Sequence, residues 1–252
     1  MKVRILGCGP SYGVPSLSRG FGLCNPDNPK NFRLRSSILI KENGTNILID
    51  SGPEIRIQLL RAGAPRLDAV LYTHEHYDHM GGADDLRSDI YENARTLPIY
   101  LTKDVAKHFK NVLQYLFRTH TQKADVFQLN IIKPYQSFQV NDISILPIPQ
   151  KHGNGNSIGY RIGDFAYSTD VVSMDEEAFK ALEGIKVWVL GVVTPVPNHK
   201  HINVETALEW IKRIKPERAY FTHMGSRMDY DTLCQNLPEN IRPVYDEMEI
   251  EI

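Results

Sequence analysis

The sequence predicts an α/β fold, and three observations carry that prediction. Short apolar runs of strand length, such as Ile47-Leu48-Ile49 and Ala69-Val70-Leu71-Tyr72, recur along the chain. Amphipathic stretches with helical spacing alternate with them. Histidines and aspartates follow the apolar runs, and the ends of strands are where α/β sheets deliver functional side chains. At 252 residues the chain is near the upper end of what one hydrophobic core serves, so residues 1–252 are expected to form a single domain.

Taken in order, Lys2–Leu6 alternates charged and apolar residues as a strand does. The glycines of Gly7-Cys8-Gly9-Pro10-Ser11-Tyr12-Gly13 are followed by a loop with Pro15, Gly20, Gly22, Pro26 and Pro29, not by a helix. That excludes a dinucleotide fingerprint and leaves a turn, or a loop of backbone donors near an anion. Ser36–Lys41 and Asn46–Asp50 flank Glu42-Asn43-Gly44-Thr45, whose Asn-Gly pair predicts a hairpin. A helix is expected from Pro53 to Ala62, stopped by Gly63. Asp104–Arg118 reads as an amphipathic helix with Val105, Phe109, Val112, Leu113 and Leu116 on its apolar face. If residues 104–120 cover the site, His120 reaches the cleft; otherwise the helix simply packs on the core, with His108 on its surface. Strands resume near Val126 and again at Ile143–Ile148. Ile158–Ile162 and Phe165–Ser168 form a hairpin turning at Gly163-Asp164. Ser173 with Glu176 makes a capping box for a helix to Glu183, closed by Gly184. Lys186–Leu190 and Arg218–Phe221 are strands, and Val204–Ile214 is a helix with Asn203 as its N-cap.

Composition narrows the class. Hydrophobic residues at 42% and charged ones at 23% suit a globular protein, not a fibrous or disordered one. A net charge of −1 gives no global attraction to nucleic acid or to an anionic membrane. The apolar start is too short for a signal peptide, and no apolar run approaches the ~20 residues of a spanning helix. Cys8, Cys24 and Cys234 form no CxxC pair and leave an odd count, which points to a reduced, cytoplasmic protein.

The chemistry concentrates in Thr73-His74-Glu75-His76-Tyr77-Asp78-His79, with three histidines and two carboxylates in seven residues directly after an apolar run. Imidazoles and carboxylates are ligands for zinc, manganese or iron. The economical reading is dinuclear, with His74 and His76 on one metal and Asp78 and His79 on the other. One loop cannot complete two coordination spheres, so further ligands are expected at other strand ends. His152, Asp170 and His223 meet that condition, and the two oxygens of Asp170 could bridge both metals.

Thr-His-x-His-x-Asp-His followed in order by His, Asp and His at strand ends resembles the metallo-β-lactamase superfamily, over almost the whole chain. Asp50-Ser51-Gly52 resembles the superfamily's Asp-x-Gly turn. The resemblance implies an αβ/βα sandwich of two mixed sheets flanked by helices, with the site in the cleft between sheet edges. It assigns His74, His76 and His152 to the first metal, Asp78, His79 and His223 to the second, and Asp170 to both. Asp50 would fix the tautomer of a ligand histidine. Exported β-lactamases often carry Cys where this chain has Asp170. Glyoxalase II enzymes need a C-terminal helical domain, for which too few residues follow His223. The tRNA 3′-processing nucleases use a basic arm that is not evident here.

Leu6-Gly7-x-Gly9-x-Ser11-x-Gly13-Val14-Pro15, Arg35-Ser36-Ser37, Asp85-Leu86-Arg87 and His201-Ile202-Asn203 are similar to the branch of phosphoribosyl 1,2-cyclic phosphate phosphodiesterases (PhnP-like). That branch holds an extra structural zinc in a cysteine cluster, of which only Cys24 remains here, so no structural metal is expected. The resemblance implies a hydrolase with two divalent metal ions, zinc or manganese with iron as a further option, acting on a small, cyclic or open, phosphate ester. A hydroxide bridging the metals would attack phosphorus, Asp78 would orient it, and His201 would serve as acid/base, with His199 as a competing candidate. The alternatives are an RNA-processing nuclease of the same fold and a metal-binding protein without turnover.

Overall fold

A computed structural model describes residues 1–93, 95–117 and 126–252. The first half supplies β1 (Lys2–Gly7), β2 (Ser37–Glu42), β3 (Thr45–Ile49), α1 (Ile55–Arg61), β4 (Ala69–Leu71), α2 (Tyr77–Met80), α3 (Arg87–Glu92), β5 (Leu97–Leu101), α4 (Lys103–Val112) and β6 (Phe127–Ile131). The second half supplies β7 (Phe138–Val140), β8 (Ile143–His152), β9 (Gly155–Ile162), β10 (Phe165–Ser168), α5 (Glu176–Leu182), β11 (Val187–Gly191), α6 (Val204–Ile214), β12 (Arg218–Thr222), α7 (Tyr230–Asn236), β13 (Ile241–Pro243) and β14 (Glu249–Glu251).

Among the described residues the strands form two mixed seven-stranded sheets, ordered β14-β1-β2-β3-β4-β5-β6 and β13-β12-β11-β10-β9-β8-β7. The two share one layout. Three antiparallel steps (β14 to β3, and β7 to β10) are followed by three parallel ones (β3 to β6, and β10 to β13). This is the αβ/βα sandwich, and it repeats a design that the sequence does not display as a repeat.

Strand alternation sorts the first sheet's side chains. Ile38, Ile40, Ile47, Ile49, Ala69 and Leu71 join the core that includes the second sheet, whereas Leu39, Leu48, Val70 and Tyr72 join a second cluster with Ile55 of α1 and Phe109 of α4. The β2–β3 turn has positive φ at both Asn43 (48°) and Gly44 (79°), the geometry that Asn-Gly tolerates at least cost. Asn203 caps α6 by accepting from the Thr206 N–H at 3.1 Å.

Several expectations need correction. The helix after Pro53 begins at Ile55, because Pro53 and Glu54 lie in the approaching turn. α5 is capped by Asp175, which accepts from the Ala178 N–H at 2.8 Å; Ser173 instead pairs with Lys151 as an isolated bridge. α4 ends at Val112, which is 53% exposed and not on the apolar face, and a short 3₁₀ turn, Gln114–Leu116, follows. Arg118 and His120 lie outside the described residues. His108 is exposed on α4. β8 runs through two prolines to His152. Beyond Ile145 it has no β7 partner, so Pro147 and Pro149 break no β7–β8 ladder bond, and the Pro147 carbonyl instead accepts from the Tyr135 N–H at 2.9 Å. Among the described residues no helix is long and apolar enough to cross a membrane.

Candidate metal centre

Strand ends of both sheets meet at one buried cluster. β4 delivers Thr73 and His74, β8 ends on His152, β10 leads to Asp170 and β12 to His223. Asp50, Asp170 and His223 all have left-handed backbones (φ 63°, 50° and 56°), which turn the chain sharply at the strand end and aim the side chain inward. Asp and His are among the residue types that tolerate this region, and such outliers gather at functional sites. Gly52 lets its loop press on the metal motif, since a Cβ there would lie 2.3 Å from the Asp78 carbonyl oxygen.

His74, His76 and His152 form one group whose nitrogens lie within 4.8 Å of one another, and the side chains of Asp78, His79 and His223 form another. Asp170 stands between the two. Its Oδ2 is 3.0 Å from His79 Nε2, and its Oδ1 is 3.6 Å from His152 Nε2 and 3.4 Å from His223 Nε2. His201 joins them, with Nδ1 3.8 Å from Asp170 Oδ1 and its ring 4.8 Å from that of His152. It therefore sits close enough to make a further triad with His152 and Asp170, although the sequence placed it outside the ligand set. His199 is exposed on the same loop and lies outside these groups.

On four of the rings, those of His74, His79, His152 and His223, the outer nitrogen lies against an oxygen. His79 Nδ1 lies 2.7 Å from Asp50 Oδ2, His152 Nδ1 3.0 Å from the Lys200 carbonyl, and His223 Nδ1 3.0 Å from Ser36 Oγ, which itself donates to the Gly9 carbonyl. Thr73 Oγ1 donates to Asp50 Oδ2 at 2.8 Å, so toward His74 Nδ1, 3.0 Å away, it can only accept. One carboxylate thus orients His79 directly and His74 through a hydroxyl. With these four Nδ1 protons committed outward, their Nε2 atoms present lone pairs to the centre, while His76 turns its Nδ1 toward His152 Nε2 (3.4 Å). His74 Nε2 and His79 Nε2 are buried without a hydrogen-bond partner; His79 Nε2 is close to Asp78 Oδ2 (3.2 Å) and Asp170 Oδ2, yet in hydrogen-bond geometry with neither. Lone pairs and carboxylates facing one another repel unless cations lie between them, so the donor set fits divalent metal ions.

The electrostatics agree. Burial pushes the Asp170 carboxyl up, but the imidazoles of His223 and His79 outweigh it and hold it well below the usual range. Burial also pushes Asp78 up, and His79 more than reverses that. For His79, burial opposes the charged form, yet the carboxylates of Asp170, Asp78 and Asp50 lift it well above the ordinary histidine range. The pocket demands positive charge at that nitrogen. His74, His76 and His223 are pushed down, first by burial.

Thr73 and Ser36 entered the sequence analysis only as members of motifs, and the Lys200 carbonyl not at all. Thr73 was legible as part of the motif. Ser36 lies 187 positions from His223, and no local spacing links them. Thr73→Val removes the hydroxyl between Asp50 and His74, and metal affinity is expected to fall about 10–100-fold, the usual cost of losing an outer partner. Chelator competition would measure it, with Thr73→Ser retaining the wild-type value.

A family model described as a beta-lactamase superfamily domain matches residues 45–224. The chain is 32% identical over 253 residues, 99% of its length, to an octanoyltransferase of Porphyromonas gingivalis, but spans only 51% of that protein. A ribonuclease Z of Clostridioides difficile is 29% identical over 123 residues, 46% of this chain and 35% of the relative. Among solved structures, a diphosphatase of the PhnP family superposes with a TM-score of 0.92 at 27% identity, covering 100% of this chain and 97% of that one.

Proposed function

The chain belongs to the metallo-β-lactamase superfamily, and from that premise we propose that it is a metal-dependent hydrolase of a small phosphate diester, cyclic or open. The observation that carries this reading is the pair of three-residue ligand groups on either side of Asp170. Its likeness to a PhnP-family diphosphatase over the full chain supports phosphorus as the centre attacked. His74, His76 and His152 would hold one ion, Asp78, His79 and His223 the other, with Asp170 between them. Zinc, manganese and iron all suit this donor set. When bound, such ions acidify water and neutralise phosphoryl oxygens.

The chain's own residues then divide the remaining work. Asp50 and Thr73 hold the imidazole tautomers, and Asp78 orients the attacking water. His201 is the group placed to protonate the leaving alkoxide. Burial, with His223 second, holds its imidazole down to about 3, so it enters neutral at pH 7. The proton it delivers must be taken up in the substrate complex, where the phosphate's negative charge favours the imidazolium. His201→Gln is expected to lower kcat about 10²–10⁴-fold with two metals still bound, as metal analysis of the purified variant would show. His199→Gln should leave kcat near wild type, because that ring is exposed.

The reading is tested by stripping the protein, reloading it with manganese or zinc, and following hydrolysis of bis(4-nitrophenyl) phosphate, with Asp78→Asn as the inactive control. No turnover with two metals bound would sink it. Residues 1–252 are taken as one catalytic unit in the cytoplasm, consistent with the odd count of three cysteines.

A second reading, RNA cleavage, is favoured by the similarity to ribonuclease Z. It requires an affinity for tRNA that falls steeply with salt. The acyl transfer named for the Porphyromonas relative belongs to a protein about twice as long, and octanoyl thioester hydrolysis is a direct check on whether that chemistry extends here.

A further inference from the structure

Residues 244–248 carry the chain from β13, an edge strand of the second sheet, to β14, an edge strand of the first. This crossing is bonded to both sheets. The Val244 N–H donates to the Phe221 carbonyl of β12 at 3.0 Å, and Glu247 and Met248 pair with Ile5 of β1 at 2.7 and 2.8 Å. Between these ties lies Asp246, partly buried, whose carboxylate accepts two backbone bonds. Its Oδ1 accepts from the Cys8 N–H at 3.0 Å, and its Oδ2 from the Leu34 N–H at 2.8 Å. Burial lifts the carboxyl to about 6 against the pull of these N–H groups. At about pH 7.5 it is therefore ionised, with both oxygens free to accept.

Both segments that this carboxylate holds lead to His223. The Cys8 carbonyl accepts from the Met224 N–H at 2.8 Å, which fixes the peptide that follows the histidine. Leu34 lies two residues before Ser36, whose hydroxyl donates to the Gly9 carbonyl at 2.9 Å. Toward His223 Nδ1, 3.0 Å away, that hydroxyl can then only accept. The two segments also bind each other, since the Gly9 N–H donates to the Leu34 carbonyl at 2.7 Å. Their approach depends on glycine, because a Cβ on Gly9 would lie 2.8 Å from the Arg33 carbonyl oxygen. His223 itself has a left-handed backbone (φ 56°), so no regular helix or strand aims its ring. The contacts of Met224 and Ser36 do that, and one carboxylate ties the two together.

We propose that Asp246 is a positioning residue for the second metal ion, holding His223 in place through Cys8 and through Leu34–Ser36. This rests on the ligand assignment above, but not on turnover. An asparagine at 246 offers one acceptor and one amide donor, so it would turn its NH2 toward one of the two N–H groups. None of the first ion's candidate ligands lies on these segments, since His74 and His76 follow β4 and His152 ends β8. Zinc-loaded Asp246→Asn is titrated with a chromogenic chelator at the pH given above, and metal analysis follows the ions retained. One ion should bind about tenfold more weakly, the lower end of what losing an outer partner costs, while the other keeps its wild-type affinity. His223→Ala should weaken the same ion, and adding Asp246→Asn to it should cause no further loss. Asp68→Asn is the control for loss of a carboxylate clamp. Asp68 accepts from the Asn46 N–H at 2.8 Å, at the ends of β3 and β4 away from the centre, and its variant should leave both ions unchanged. If Asp246→Asn does not fold, Asp246→Glu displaces the same two oxygens and should give the same one-ion loss. Equal weakening of both ions, no weakening of either, or a further loss on top of His223→Ala would overturn the proposal. A failure to hydrolyse any diester would count against the phosphodiesterase reading alone, since the affinities are read without substrate.

Discussion

Asp170→Asn is expected to lower kcat/KM for a phosphodiester by about a thousandfold or more and to reduce bound metal below two ions per chain. Asp170 lies among His79, His152, His201 and His223, with distances from 3.0 to 3.8 Å. Among the described residues it is the one carboxylate within reach of both candidate ligand groups. Removing its charge would leave any two bound cations without a carboxylate between them, while Thr169 Oγ1, 2.7 Å away, can still hydrogen-bond the side chain. The fold should survive the change for that reason. Metal-ion catalysis is worth several kcal/mol of charge stabilisation, and about 1.4 kcal/mol corresponds to tenfold in rate. Metal analysis after gel filtration, together with steady-state kinetics, measures both effects. Two ions per chain with wild-type turnover would mean that Asp170 is not the bridge.

Stripping the metals is the second large effect. Ligand saturation at about a thousand times Kd stabilises a fold by about 4 kcal/mol, and a domain of this size gains ~2–4 °C per kcal/mol. Chelation should therefore lower Tm by about 10 °C, and stoichiometric zinc or manganese should restore it. The stripped protein should also be acid-labile. His74, His76, His201 and His223 have folded pKa values below the unfolded value. Their stability contribution is complete above about 6.5 and is lost as pH falls below it, because the unfolded chain then binds more protons. Asp78 and Asp170, also depressed, lose theirs on further acidification. Asp50, His79 and Asp246, the last pushed up to about 6 chiefly by burial, oppose the trend but are fewer. Urea unfolding of stripped protein at pH 7 and pH 5 measures the sign, and greater stability at pH 5 would contradict this account. Metal loading reinforces the trend, since protons compete with ions for the same ligands.

The composition of the candidate site was legible in the sequence because histidines and carboxylates at strand ends leave a local mark. An apolar run followed by His-x-His-x-Asp-His needs nothing distant to be read. The β2–β3 hairpin followed from Asn43-Gly44, and the start of α6 from Asn203, because turn and cap chemistry acts over two to four residues. Longer-range competition defeated the local signals elsewhere. Ser173 has the capping-box spacing, yet its backbone pairs with Lys151 and Asp175 takes the cap. Pro147 and Pro149 sit within β8 because its pairing with β7 ends at Ile145.

The sequence alone determined the class of fold and the candidate ligands, since those depend on periodicity and on donor chemistry. Tertiary structure decided which groups face one another. It set His201 against Asp170 and left His199 in solvent, two positions apart on one loop. It brought Ser36 to His223, and Thr73 between Asp50 and His74. It set one carboxylate, that of Asp246, against the backbones of Cys8 and Leu34. Local spacing fixes backbone conformation within an element, whereas the direction in which a side chain ends is settled by the packing of segments that meet only once both sheets have closed over the core.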